Sequence, residues 1–202
     1  MRDTIDINSN DNALFITSQC NNRCVMCCQP PLLRNDHDGY FQKNMALIDS
    51  APRELRSLGI TGGEPTLLGD RLFELLRHVR TKLPETEIHL LTNGRAFADK
   101  EYARKLAECG EEKILLGVPL HADSAGDHDT ITQVKGSFEE TMLGLYNLGR
   151  YDIGIELRVV ITKMNYRRLP KLPDFIYRNL PFVEFISVSY THLRAHETVL
   201  DL

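Results

Sequence analysis

No stretch of this chain is apolar over anything near the length of a membrane span, and residues 1–11 are polar and acidic, unlike a secretory leader. An excess of one charge is also lacking. The chain has 24 Lys and Arg against 28 Asp and Glu, a net charge of −4, and its basic residues never form a stripe. A general pull toward nucleic acid or an anionic membrane is therefore not expected, and the reading is cytoplasmic. There is too little chain for two comfortable domains: 202 residues, 42% hydrophobic and 26% charged, suit one domain with a substantial core. Missing, too, is the spread of cysteines that a disulfide framework needs. Four of the five crowd into residues 20–28. Cys109 stands alone near the end of an expected helix and reads as a small buried hydrophobe. Clustering of this kind favours metal binding.

Cys20, Cys24 and Cys27 form a C-x3-C-x2-C array on a loop after a short apolar strand at 14–17. Three thiolates at this spacing can hold three corners of a cubane cluster and leave one iron open for chemistry. Cys28 adjoins Cys27, and neighbours rarely present both sulfurs to one cluster, so it reads as packing. A zinc knuckle is the alternative, with His37 as a possible fourth ligand, although zinc sites usually show a second ligand pair at a distance. A ferredoxin would need a fourth cysteine, and neither Cys28 nor Cys109 is well placed for that.

Apolar strands then alternate with amphipathic helices. A first helix carries Phe41, Met45 and Ile48 and ends near Ser50. A second strand at 58–61 runs into Gly62-Gly63-Glu64-Pro65-Thr66. Glycines admit close backbone approach to a ligand, and Glu64 can accept a hydrogen bond from an ammonium group; the plain alternative is a turn with a solvated Glu. A helix over 70–83 places Leu72, Leu75, Leu76, Val79 and Leu83 on one stripe. A third strand at 88–92 ends at Thr92 and Asn93, which are either site residues or a simple Asn-Gly turn. Asp99 caps a helix running to Cys109-Gly110. In the fourth strand, 114–120, Gly117 would leave room for a ligand, and His121 follows. The run 121–129 reads as a solvated loop. Ser137-Phe-Glu-Glu140 has the form of a capping box opening a helix toward Gly149. In the fifth strand, 153–161, Glu156 and Arg158 share one face, and Arg158 suits a cofactor carboxylate. A helical segment over 166–179, interrupted by Pro170 and Pro173, and a sixth strand at 182–187 complete the pattern.

Six strands separated by helices argue an α/β fold with a parallel sheet and right-handed crossovers. Both an open doubly wound sheet and a curved partial barrel satisfy this. A strand buried between helices should be apolar on both faces, so Glu156 and Arg158 tilt the choice toward a barrel with a polar lumen. A salt-bridged pair at a solvated strand end is the alternative.

The cysteine array followed by Gly62-Gly63-Glu64, each after an apolar strand, makes the chain resemble the radical S-adenosylmethionine (radical SAM) enzymes. The resemblance implies a partial (β/α)6 barrel, truncated here after its sixth strand. It implies that Cys20, Cys24 and Cys27 hold a [4Fe-4S] cluster whose open iron chelates S-adenosyl-L-methionine. Reductive cleavage to a 5′-deoxyadenosyl radical would follow, fed by a reductase or a flavodoxin or ferredoxin donor. Met26 sits where the family packs adenine, and the glycine–glutamate motif where it holds the methionyl amino group. Residues 20–31, 61–69 and 91–98 look like the C-type radical SAM maturase of the His-Xaa-Ser repeat peptide system, with Cys28 where a small residue such as Ser is expected. That implies a small peptide substrate and a second radical SAM maturase as partner. Two rivals remain: a radical SAM enzyme acting on a nucleoside precursor or RNA, and a non-catalytic iron–sulfur or zinc module.

Residues 188–198 resemble the reading-frame translation of a transposon-based sequencing adapter, and 199–202 fit its continuation. The core domain is accordingly expected at 1–187, incomplete at its C-terminus, with 188–202 a non-native tail. His192 and His196 receive no role.

Overall fold

The structure is a computed structural model, and it describes residues 4–9, 11–32 and 36–190. Among the described residues six parallel strands stand in sequential order: β1 (Ala13–Phe15), β2 (Ser57–Thr61), β3 (Glu87–Leu91), β4 (Ile114–Pro119), β5 (Gly154–Ile161) and β6 (Phe185–Tyr190). Sequential order with right-handed crossovers sends every connection over the same face. The helices therefore form one outer layer and the sheet curls into a partial barrel whose first and last strands do not pair. A doubly wound sheet would have required the order to reverse.

The outer layer comprises α1 (His37–Ser50), α2 (Asp70–Lys82), α3 (Lys100–Ala107), α4 (Ala125–Thr132), α5 (Ser137–Gly149) and α6 (Leu172–Asn179). Helix-facing strand residues are paired in register, Leu58 with Ile88 and Ile60 with Leu90, and all four are buried. Against them α2 buries Leu72, Phe73, Leu75, Leu76 and Val79. Each such side chain contributes roughly 1.5–3 kcal/mol of transfer free energy. The lumen-facing rows differ: one runs Leu91, Gly117, Glu156, Phe185 and the next pairs Pro119 with Arg158 and Ser187.

Several local expectations are corrected. The run 121–129 is no solvated loop: α4 begins at Ala125, and both His121 and His128 are buried. The capping-box form at Ser137 is not used. Asp129 caps α5 instead, accepting the backbone N–H of Gly136 at 2.6 Å and of Phe138 at 2.8 Å. The segment 166–179 breaks at its prolines as expected: a 3-10 turn over Leu169–Lys171 holds Pro170, and α6 starts at Leu172 with Pro173 in its first turn, where a missing donor is tolerated. Gly117 leaves no room, since a Cβ there would lie 2.6 Å from Leu91 and 3.0 Å from His89. Asp99 does cap α3, accepting the N–H of Glu101.

β6 runs three residues past Ser187, into Val188, Ser189 and Tyr190. Ladder bonds use only backbone groups, so this pairing is indifferent to the side chains. His192 and His196 lie outside the described residues.

Candidate functional site

The loop after β1 is stitched to the loop after β2 by backbone. Gly63 N–H donates to Thr17 O at 2.6 Å and Glu64 N–H to Gln19 O at 2.7 Å. A Cβ at Gly63 would fall 2.0 Å from Gln19 O, and one at Gly62 2.7 Å from Thr17 O. The glycines are needed because the cysteine loop, part of the chain itself, comes this close. On its other flank the loop hangs from the end of α4: Arg23 N–H donates to Thr132 O and Val25 N–H to Ile131 O, both at 2.9 Å. Asp36, just before α1, accepts Thr17 Oγ1 at 2.7 Å and the Ser18 backbone N–H.

Glu64 is fully buried. Its Oε1 accepts Thr66 N–H at 3.0 Å, Thr66 Oγ1 at 2.6 Å and Thr92 Oγ1 at 2.7 Å, while Oε2 accepts the N–H of Asn93 at 2.7 Å. The carboxylate therefore ties the ends of β2 and β3 together, a role the reading as a ligand-facing acceptor did not foresee. Asn93 Nδ2 reaches back to Asn21 Oδ1 at 2.6 Å in the cysteine loop. The Asn-Gly turn is itself wedged against α5, where a Cβ on Gly144 would lie 2.2 Å from Gly94 O.

Cys20, Cys24 and Cys27 are free thiols lining one cavity of about 670 Å³, together with Val25, Pro31 and Leu67. Burial pushes the Cys20 and Cys24 thiols up to about 11; the backbone N–H of Asn22 opposes this at Cys20, while Glu64 and the neighbouring sulfurs reinforce it. Thiolates here need a cation beside them, and metal coordination supplies one. Among the described residues no three His, Cys, Asp or Glu side chains converge as ligands of a single ion. Sulfurs spread around a roomy cavity fit a polynuclear cluster better than a mononuclear zinc, whose ligands must meet at one point.

The sequence-derived candidates thus divide. Cys20, Cys24, Cys27, Gly62, Gly63, Glu64, Thr92 and Asn93 lie together across three adjoining strand ends. Met26 is buried next to Val25, which lines the cavity. Arg158 is in the lumen, its guanidinium 3.7 Å from Glu156 Oε2. Glu156 is not at a solvated strand end. It is buried on the lumen face, with His89 Nε2 of β3 at 2.7 Å, an approach not aligned for a hydrogen bond.

His121 and His128 stack with ring centroids 5.5 Å apart, and His128 Nδ1 accepts the His121 backbone N–H. Burial lowers His121 to about 3, with His128 adding to the effect, and lowers His128 to about 4. The His128 ring, on α4 itself, and the His121 ring stacked on it anchor the helix from which the cysteine loop hangs. Sequence reading missed Arg95, which bridges that loop to α5. Its Nε donates to Glu140 at 2.6 Å, and its NH1 to Asn21 O and Asn22 Oδ1, both at 2.7 Å. An arginine after an Asn-Gly turn carries no local signal of this, because its partners lie 45 to 74 residues away.

The family model described as the Radical SAM superfamily matches residues 14–176. The chain belongs to the radical SAM superfamily. Radical SAM proteins are enzymes that use a [4Fe-4S] cluster and S-adenosylmethionine. The chain is 32% identical to the Fe-coproporphyrin III synthase of Methanosarcina barkeri, over 87% of this chain and 43% of that protein. It is 26% identical to a probable GTP 3′,8-cyclase of Saccharolobus islandicus, over 91% of this chain and 56% of that one. The chain therefore spans about half the length of the curated radical SAM relatives it matches. Among solved structures, SuiB of Streptococcus suis bound to S-adenosylmethionine aligns with a TM-score of 0.69 at 19% identity, covering 91% of this chain and 41% of SuiB. Native anSMEcpe with bound AdoMet and Kp18Cys peptide aligns at 0.69 and 19%, covering 94% and 53%. Likeness at this identity establishes the shared radical SAM fold. No helix among the described residues is long and apolar enough to cross a membrane.

Proposed function

We propose that this chain carries the cofactor-binding part of a radical SAM maturase acting on a small peptide with His-Xaa-Ser repeats. Cys20, Cys24 and Cys27 hold the [4Fe-4S] cluster. When bound, that group would supply the electron for reductive cleavage of S-adenosylmethionine, and with it the 5′-deoxyadenosyl radical chemistry of hydrogen-atom removal from substrate. Backbone at Gly62 and Gly63 borders the cofactor, and Glu64, Thr92 and Asn93 hold that border rigid. Among the described residues Glu64 Oε2 accepts one hydrogen bond, from Asn93 N–H, which leaves a lone pair for the methionyl ammonium. Arg158 serves the cofactor carboxylate and Met26 packs under the adenine. A second maturase and a flavodoxin, ferredoxin or reductase complete the system.

The observation carrying this reading is the group of three free thiols around one cavity, stitched by backbone to a double glycine and a buried glutamate. Peptide chemistry is supported by the sequence likeness at residues 20–31, 61–69 and 91–98. A nucleoside-type substrate is the second reading, supported by the several archaeal relatives named as probable GTP 3′,8-cyclases.

The test is anaerobic reconstitution with iron and sulfide, then dithionite, S-adenosylmethionine and a synthetic His-Xaa-Ser repeat peptide. Formation of 5′-deoxyadenosine with a mass change in the peptide is expected. Cofactor cleavage stimulated by GTP but not by peptide would move the assignment to the second reading. A cluster whose electron resonance ignores S-adenosylmethionine would reduce the protein to a passive module.

A further inference from the structure

Arg95 is nearly buried, its side chain 13% exposed, and it stands between the cysteine loop and α5. Two of its guanidinium nitrogens are committed: Nε to Glu140, and NH1 to both Asn21 O and Asn22 Oδ1. Asn22 is itself buried, 3% exposed, and lies between the first two cysteines. Its backbone N–H donates to Cys20 Sγ at 3.3 Å. Its side-chain oxygen is the one taken by Arg95. A continuous path thus runs from the Glu140 carboxylate through the Arg95 guanidinium to Asn22, and from the Asn22 backbone N–H to the Cys20 sulfur.

We propose that Arg95 is a positioning residue that sets the reduction potential of the cluster through Asn22. The proposal rests on the reading of Cys20 and Cys24 as cluster ligands. Reduction adds one negative charge to an already anionic group of thiolates. Hydrogen bonds to the sulfurs and nearby positive charge stabilise that added electron and raise the potential. A guanidinium bound to the Asn22 side chain fixes that residue, keeps its backbone N–H on the Cys20 sulfur, and places a positive charge beside the cysteine loop. Glu140 is half-exposed and opposes part of the charge of Arg95. The two residues therefore act on the potential in opposite directions. A fork that grips three acceptors is also beyond lysine, whose ammonium is a single point.

The experiment is an electron-resonance redox titration of the whole reconstituted protein, without substrate, comparing R95M, R95K and E140Q with the parent. R95M is expected to keep its iron and sulfide content and to lower the midpoint, with about a tenfold smaller reduction equilibrium constant, or ~59 mV for one electron. R95K should recover less than half of that shift, and E140Q should move the midpoint upward. An intact cluster with an unchanged midpoint in R95M overturns the proposal. Where R95M fails to assemble a cluster, E140Q decides: a midpoint at or below the parent value overturns it. Parent protein that takes up no [4Fe-4S] cluster would instead overturn the function proposed above, and this inference with it, a result distinct from a parent cluster that the variants leave untouched.

Discussion

Two buried carboxylates of one sheet, separated by two intervening strands, are treated in opposite ways. Glu64, at the carboxyl end of β2, is met by four donors from its own chain, two of them backbone N–H groups. Glu156, in the lumen row of β5, faces an imidazole and a guanidinium that are each more than a third exposed. A buried charge held by fixed neutral donors acts as a joint between strands. One held by long ionisable side chains leaves the surrounding strands free of that constraint. The difference says where the molecule is rigid: at the ends of β1, β2 and β3, where the cysteine loop is attached.

The comparison can be broken by substitution, starting with the largest effect. E64L strands Thr66 N–H, two hydroxyls and Asn93 N–H in the interior. It should cost about 4 kcal/mol in urea unfolding of the apo protein and abolish cluster uptake. E156Q keeps its shape beside partners that are partly solvated, and should cost under about 1 kcal/mol. Equal losses in the two variants would erase the distinction.

G63A ranks next. Its new methyl meets a backbone oxygen, not the movable end of a side chain, so about 2–3 kcal/mol is expected, together with loss of iron binding. D129A, which removes the cap of α5, should cost about 1–2 kcal/mol. Burial opposes ionisation of Asp129, but the N–H groups of Phe138 and Gly136 and the Ser137 hydroxyl outweigh it, so its pKa is lowered. Its contribution is therefore complete above the ordinary aspartate range and is lost as pH falls through the depressed value.

The histidine pair adds a second acid limb at higher pH. Both rings are neutral in the fold, whereas in the unfolded chain they take up protons near 6.5. Stability should therefore be full above that pH and fall between about 6.5 and 3, with each histidine contributing at most about 1.4 kcal/mol per pH unit. H128N should flatten this limb in pH-dependent urea titrations; an unchanged slope would remove the pair from the account. Smallest of all, V188S and Y190S should each change stability by under about 0.5 kcal/mol, because these side chains are 60% and 69% exposed.

Much of the fold was legible because its signals are local. The Leu72, Leu75, Leu76 and Val79 stripe marks α2, and glycine or proline punctuates most strand ends. Glu156 and Arg158 on one face of β5 betrayed a polar lumen, although their partner His89 is 67 residues away and could not be named. The buried His121 and His128 were misread because α4 is short and polar in sequence, and only its seat against α5 hides the rings. Asp129 was missed for a related reason, since a capping-box pattern stood closer to hand at Ser137.

The candidate site divides along the same line. Cysteine spacing alone specified which sulfurs stand on one short loop, because a few residues of chain leave them little freedom to be elsewhere. The alternation of apolar strands and helices likewise specified a parallel α/β sheet. Only the folded chain decided that Gly62 and Gly63 make room for the cysteine loop, that Glu64 spends its hydrogen bonds on Thr66, Thr92 and Asn93, and that Arg95 reaches Asn22. Those are contacts between segments distant in sequence, and nothing in a short stretch of residues encodes which surface will be opposite it once the core has closed.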